Sequence, residues 1–126
     1  MDQKKPIIWV GPSKKDFMEF PNEVRKEMGH ALYVAQKGEK HRDVKPLKGF
    51  GGSSVLEIVQ SDGQGTYRTI YTIQMKKAVV ILHAFQKKSK TGIKTPKQEI
   101  DLVVQRLKSA HQKYKEWLDV HKKEIH

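Results

Sequence analysis

Cationic and titratable side chains end one apolar segment of this chain and interrupt another. Residues 79–85 read Val-Val-Ile-Leu-His-Ala-Phe, and a polar stretch beginning Gln-Lys-Lys-Ser-Lys follows them. A second apolar segment, residues 66–73, contains one arginine, Arg68. If both segments are strands and they pair, Arg68 comes close to His83 and to the lysines at the strand end. Such groups could stabilise a phosphorane and move a proton, which is the chemistry of metal-free RNA cleavage.

Each of these side chains also has a structural alternative. Arg68 suits a bidentate clamp on a phosphate, but it could instead be an exposed strand cation or the partner of Glu57. His83 is a candidate base or acid, although a hydrogen-bonded core histidine fits an apolar strand equally well. Lys87 and Lys88 could place charge on the transition state or lie on a solvated surface. The predicted catalytic residues are Arg68, His83, Lys87 and Lys88.

A basic, glycine-rich stretch precedes these strands and is a second candidate for RNA contact. Lys48 is preferred within it because Gly49 lets the backbone approach a strand of RNA. Phe85 alternates with His83, so both should share a face, where Phe85 could stack on a base or belong to the core. The alternative for the basic stretch is a solvated loop. The predicted RNA-binding residues are Lys40, Arg42, Lys45, Lys48, Phe85 and Lys90.

Charge and composition restrict the class of protein. The 126 residues include 25 Lys and Arg against 14 Asp and Glu, a net charge of +11. Such an excess predicts a polyanionic partner, and nucleic acid is favoured over an acidic protein or anionic lipid. The length predicts a single domain over residues 1–126. Without an apolar stretch long enough for a membrane span or a secretory signal, we expect a cytoplasmic protein and no membrane partner.

The residues that hold metals and cofactors are sparse. The chain has no cysteine, and its six histidines include no pair spaced i, i+4. We therefore expect neither a disulfide nor a metal site. No glycine loop of the nucleotide-binding type is present, so no cofactor is predicted.

Hydrophobic patterning predicts the elements that must position these side chains. Residues 7–10 predict a strand, and helical spacing over 13–37 predicts two helices or one bent hairpin. Ser13 is expected to cap the first helical piece, and Pro21 to open the second. Three further strands are predicted at 55–59, 66–74 and 78–85. Because short turns join them, these strands must form an antiparallel meander.

One long helix is predicted at the C-terminal end, from about 96 to about 121. Thr95 is expected to cap it, with Pro96 in the first turn and Gln98 completing a capping box. Its apolar stripe should bury against its own sheet or against a partner. The predicted fold is α+β in the order β-α-α-β-β-β-α, with helices on one face of a small antiparallel sheet. The other face is expected to remain an open, basic concavity.

Several strings in this order resemble the RelE/HigB superfamily of bacterial toxins, in particular its phage-derived HigB-like branch. The resemblance covers roughly residues 7–110. The strings are Lys45-Pro46-Leu47-Lys48-Gly49-Phe50, Val55-Leu56-Glu57-Ile58, Tyr67-Arg68-Thr69-Ile70-Tyr71, Val79-Val80-Ile81-Leu82-His83-Ala84-Phe85-Gln86-Lys87-Lys88, and residues 90–96 leading into a helix.

The resemblance implies a type II toxin that enters the ribosomal A site, contacts 16S rRNA and cuts mRNA without a metal. It also implies an antitoxin with a helix-turn-helix domain, similar to HigA, through which alone the pair would bind operator DNA. The family's strand arginine falls on Arg68, its strand-end cations on Lys87 and Lys88, and its loop lysine on Lys48. Where RelE members carry lysines on the first meander strand, this chain has Glu57 and Val59. No tyrosine matching that of RelE follows Lys88.

The leading interpretation is therefore a ribosome-dependent, metal-independent mRNA endoribonuclease that inhibits translation. The departures at the first meander strand and at the missing tyrosine motivate an alternative, a non-catalytic RNA-binding module on the same fold. A third interpretation is a basic interaction subunit whose C-terminal helix docks a partner.

Overall fold

A five-stranded sheet with helices on both faces forms the protein. The computed structural model describes residues 4–87 and 95–122, so the predictions at Lys88 and Lys90 lie outside the described residues. The α+β class is confirmed. In chain order the elements are β1 (Ile7–Trp9), α1 (Ser13–Met18), α2 (Asn22–Gln36), β2 (Val44–Pro46), β3 (Val55–Asp62), β4 (Gly65–Thr72), β5 (Val79–Lys87) and α3 (Lys97–Lys122).

The sheet has the strand order β1-β5-β4-β3-β2. The predicted meander is confirmed, because β3, β4 and β5 pair antiparallel in sequence order. The first strand joins this sheet as predicted, parallel to the start of β5. The sequence analysis missed β2, which lies in the stretch assigned to a loop and pairs with β3. Only three residues long and containing Pro46, β2 carries little strand signal and suits a sheet edge.

The helices α1 and α2 cover one face of the sheet, which we call the α2 face. Met28 and Leu32 of α2 are buried in one cluster with Ile58 and Ile81 of the strands. The predicted cap at Ser13 is wrong, because its buried hydroxyl donates to the carbonyl of Ile81 at 3.3 Å and the helix has no side-chain cap. That carbonyl also accepts from the backbone N–H of Val10 at 2.9 Å, so the Ser13 hydroxyl adds a second bond and satisfies its own buried donor. Pro21 precedes α2 by one residue instead of opening it.

Tyr71 offers a test of the packing on the α2 face. Its side chain is fully buried, and within the described residues its hydroxyl has no hydrogen-bond partner. Burial raises the pKa of this hydroxyl to about 12. Because the unfolded chain releases the proton near pH 10, stability is fully present below pH 10. It should fall as pH rises toward 12, by on the order of 2–3 kcal/mol.

Tyr71→Phe is the matched control for that pH dependence. The variant should match the wild-type free energy of unfolding near pH 7, because no described bond is lost. Between pH 10 and 12 it should lose less stability than the wild type in urea denaturation. Parallel pH profiles for the two proteins would contradict this origin of the alkaline loss.

A bulge in β5 changes which side chains face which way. Ile70 of β4 pairs with His83, whereas the next residue, Tyr71, pairs with Ile81, so Leu82 is the extra residue. Leu82 and His83 consequently both lie on the sheet face opposite the α2 face, as bulged residues can. From His83 onward the alternation is inverted, and Phe85 follows His83 onto that face with ring centroids 4.9 Å apart. The predicted shared face of His83 and Phe85 is confirmed.

The long helix α3 packs on the opposite sheet face, which we call the α3 face. Its Val103 and Ala110 are fully buried in a cluster with Ile70 and Val80. The apolar stripe of α3 is therefore buried against the protein's own sheet. The prediction that helices cover only one face is therefore wrong, and the open concavity is reduced to the part of the α3 face beside the start of α3. No helix in the described ranges 4–87 and 95–122 is long and apolar enough to cross a membrane.

Candidate nucleic-acid interface

A cleft of about 580 Å³ occupies the uncovered part of the α3 face. Lys45 lies on β2 directly opposite Glu57 of β3, and Lys48 follows β2 just before Gly49, whose φ is 100°. The first turns of α3, which carry Lys97, close the other side. The exposed lysines Lys45, Lys48 and Lys97 therefore surround an apolar recess, a combination that suits an anionic ligand with an apolar part. The lining residues are Lys45, Pro46, Leu47, Lys48, Glu57, Thr95, Lys97 and Ile100.

The floor of the cleft is a buried ion pair. Arg68 Nη1 lies 3.0 Å from Glu57 Oε2 across β3 and β4, and the two side chains are only 3% and 9% exposed. The hydroxyl of Thr95 donates to the same carboxylate oxygen at 2.8 Å and lies 3.5 Å from Arg68 Nη1. Thr95 does not occupy the predicted cap position, because α3 begins at Lys97 and Pro96 stands between them. The carboxylate is thus held by a strand on one side and by the helix entrance on the other.

The Arg68 side chain is bonded to Glu57 in the structure. Arg68 is only 2% exposed, so its guanidinium lies beneath Glu57 and away from solvent. The ion pair weighed as the structural alternative is present. The phosphate clamp predicted for Arg68 stays a prediction, because it requires a ligand to reach a group that Glu57 and Thr95 now cover. Glu57 is the member of the pair that lines the cleft.

His83 joins β5 to α3 through both ring nitrogens. Arg106 Nη1 lies 2.9 Å from His83 Nδ1 and donates to the carbonyl of Leu82 at 3.0 Å. On the other side, His83 Nε2 bonds Glu99 Oε2. A guanidinium can only donate, so Nδ1 must accept and Nε2 must carry the proton that Glu99 accepts. With the neutral ring satisfied on both sides and 5% exposed, the geometry favours the structural alternative, and the catalytic role of His83 stays a prediction.

The end of β5 brings one predicted catalytic lysine onto the same face as Arg68. Arg68 pairs directly with Phe85, and Thr66, two residues earlier on β4, pairs with Lys87. Cross-strand partners share a face, so Lys87 and Arg68 both lie on the α3 face, two register positions apart along the strands. Lys88 follows outside the described residues. The catalytic assignment of both lysines stays a prediction.

Of the predicted RNA-binding residues, two line the cleft, two lie before β2, and Phe85 packs on the α3 face beside His83, while Lys90 lies outside the described residues. Lys45 and Lys48 line the cleft. Lys40 and Arg42 are exposed before β2, where the ring of His41 between them contacts His30 of α2 at 5.3 Å between centroids. Sequence reasoning missed the contributions of α3 to this region, which are Lys97, Glu99 and Arg106. Their charge was visible, but their placement depends on how α3 docks on the sheet.

Metal ligands do not gather at this site. Over residues 4–87 and 95–122, no group of three or more His, Asp or Glu side chains could hold a metal ion. Glu57, which lines the cleft, is itself bonded by Arg68 and Thr95.

The fold and the cleft together define a small α+β protein with a lysine-rimmed cleft on one face of its sheet. A family model described as "Phage derived protein Gp49-like (DUF891)" matches residues 15–108. The chain therefore belongs to this Gp49-like family, which is a family of RelE-like toxins. The predicted membership of a phage-derived, RelE-like family is confirmed, whereas the assignment to a HigB-like branch stays a prediction.

Two solved structures are similar in fold. The RelBE2 toxin–antitoxin complex from Mycobacterium tuberculosis aligns with a TM-score of 0.46 and 20% identity, over 68% of this chain and 94% of that chain. The free form of the E. coli toxin RelE, carrying two arginine-to-alanine substitutions, aligns with a TM-score of 0.48 and 14% identity. That alignment covers 64% of this chain and 81% of the RelE chain. The comparison with curated proteins gives no match.

Proposed function

We propose that this protein is the toxin of a type II toxin–antitoxin system and acts as an mRNA endoribonuclease on the ribosome. The observation that carries the proposal is the lysine-rimmed cleft on the α3 face of a Gp49-like chain. The net charge of +11 supports a polyanionic ligand. In the proposed complex the A-site mRNA and nearby 16S rRNA contact Lys45, Lys48 and Lys97.

Cleavage would use the 2′-hydroxyl of the RNA as an internal nucleophile: its oxygen bonds to the adjacent phosphorus to give a 2′,3′-cyclic phosphate, the bond from phosphorus to the 5′-oxygen breaks, and the proton lost by the 2′-hydroxyl is balanced by one taken up by the 5′-oxygen. Lys87 and Lys88 at the end of β5 are proposed to stabilise the charge that develops on the phosphate. Arg68 is proposed to assist from beneath the floor, where its charge holds Glu57 in place. No metal or organic cofactor enters this scheme. His83 retains its proposed acid–base role only if the bond from Arg106 to Nδ1 opens during the reaction.

Expression in bacteria tests the proposal directly. The wild-type chain should arrest growth, and primer extension on a translated mRNA should show new 5′ ends within codons at the ribosomal A site. Growth arrest without such ends would contradict the nuclease assignment. Unimpaired growth at high expression of the folded protein would contradict the toxin assignment.

A non-catalytic RNA-binding module is the second candidate function. It is favoured by the burial of Arg68 and by the engagement of both ring nitrogens of His83. Such a module would bind RNA in a strongly salt-dependent way and leave mRNA intact. The primer-extension experiment separates the two candidates, because only the nuclease generates 5′ ends.

A toxin of this class requires a neutralising partner. We propose an antitoxin with a HigA-like helix-turn-helix domain, encoded beside this gene, through which the pair binds operator DNA. The two proteins should co-purify when both genes are expressed together and only one product carries an affinity tag. Recovery of the tagged chain alone would contradict a stable complex.

A further inference from the structure

The charges of the cleft are arranged by depth. The rim carries the exposed lysines Lys45, Lys48 and Lys97, whereas the floor carries the carboxylate of Glu57, a residue 7% exposed. An anion is therefore attracted at the rim and repelled at the floor. This order orients a nucleotide with its phosphates outward and its base inward.

Among residues 4–87 and 95–122, hydrogen bonds reach one oxygen of the floor carboxylate and leave the other without a described donor. Glu57 Oε2 accepts from both Arg68 and Thr95, at 3.0 and 2.8 Å. No described residue donates to Oε1. A carboxylate oxygen in a recess of low polarity calls for a hydrogen-bond donor from whatever fills it. Because Arg68 and Thr95 fix the carboxylate, this acceptor is presented in a constant position.

We propose that the cleft takes a nucleobase with an exocyclic amino group, whose amine donates to Glu57 Oε1. The proposal rests on the RNA binding proposed above and adds a base preference to it. Adenine, cytosine and guanine present such an amine on their base-pairing edge. Uracil presents two carbonyl oxygens on either side of its single N–H, and these would face the carboxylate. Uracil is therefore the base that the floor rejects.

The walls of the cleft fit a flat base. Pro46 of β2 and Ile100 of α3 line it from the two sides and offer apolar contact. An acidic peptide would also suit the lysines, but its carboxylates would meet Glu57 as they entered. The Glu57 carboxylate, which accepts hydrogen bonds and repels anions, thus favours a nucleobase over an acidic side chain.

Direct binding of short RNAs to the full chain tests this preference without any requirement for cleavage. The probes are an octamer of uridine and three octamers in which one central uridine is replaced by A, C or G. Fluorescence anisotropy at one fixed salt concentration should show each amino base binding about tenfold more tightly than the uridine octamer. Equal affinities would overturn the base preference but leave the proposed RNA binding intact, whereas no binding to any probe would overturn both.

The Glu57→Gln variant tests whether Glu57 causes the preference for bases with an amino group. The amide retains an oxygen for Arg68 and Thr95 but can also donate, so it should accept uracil, and the affinity ratio should fall within about twofold. Lys45→Ala is the matched control, since it should weaken all four probes by the same factor and keep the ratio. A folded Glu57→Gln protein that keeps the wild-type ratio would overturn the assignment. If that variant does not fold, the wild-type ratio alone decides whether the preference exists.

Discussion

A triple variant that replaces Lys45, Lys48 and Lys97 by alanine should lose growth arrest and most of its affinity for single-stranded RNA. At about 1 kcal/mol per lost phosphate contact, the affinity should fall on the order of 100-fold at low salt. The slope of log affinity against log salt should become shallower by about 2, because each phosphate contact contributes about 0.7. Anisotropy titrations of one RNA at several salt concentrations measure both quantities.

The chain offers a control with the same change in charge. Lys14, Lys15 and Lys26 are exposed on α1 and α2, which cover the other face of the sheet. Replacing these three by alanine also lowers the net charge of +11 by three. This control should keep growth arrest and most of the RNA affinity. Equal losses in the two triple variants would mean that RNA binding is diffuse and that the cleft is not its site.

The strands and helices could be predicted because their signals are local. Alternating apolar residues, turn residues and a long apolar stripe defined the meander and α3 to within a few residues. The errors arose where a side chain bonds something distant in sequence. Ser13 and Thr95 are good capping residues by type, yet each hydroxyl bonds a strand residue far along the chain. A cap is a competition between local and tertiary partners, and the sequence shows only the local one.

The site depended on a feature that no local pattern reveals. Simple alternation from Val79 would place Lys87 on the α2 face, the side away from Arg68. The extra residue Leu82 inverts the alternation, which brings His83, Phe85 and Lys87 to the α3 face. The residue types in β5 do not reveal whether the strand contains the bulge. The sequence analysis expected Arg68 near the strand-end lysines, and for Lys87 the bulge is the structural feature that brings both residues to one face.

The roles of Arg68 and His83 were open in the sequence for a physical reason. Each side chain can act in catalysis when it is accessible and can stabilise the fold when it is buried. Whether it is buried depends on which other elements of the chain cover it. The helix α3 and the segment entering it supply Thr95, Glu99 and Arg106, which bond these two side chains. Glu57, which stands where RelE members carry a lysine, forms the ion pair that the sequence analysis weighed as the structural alternative for Arg68.

Arg68→Ala should have the largest effect on stability of any single change in the site. The substitution leaves the carboxylate of Glu57 in a recess without its counter-charge, which costs about 3–5 kcal/mol when one partner of a buried pair is removed. That is a large share of the roughly 5–15 kcal/mol that holds a domain folded. Urea denaturation followed by circular dichroism measures the loss. Arg42→Ala removes an exposed arginine and should change the free energy of unfolding by less than about 0.5 kcal/mol.

Loss of growth arrest in Arg68→Ala alone would therefore not show that Arg68 acts on RNA. A double variant, Arg68→Met with Glu57→Leu, replaces the pair by apolar side chains of similar size and should recover most of the stability. If this stable double variant fails to arrest growth, the pair has a role in function beyond holding the fold. If it arrests growth as the wild type does, the pair is structural and the predicted clamp is wrong. If Arg68→Ala lowers the free energy of unfolding by less than about 1 kcal/mol, that result would instead contradict the buried pair itself, because a buried carboxylate without a counter-charge destabilises the fold by more.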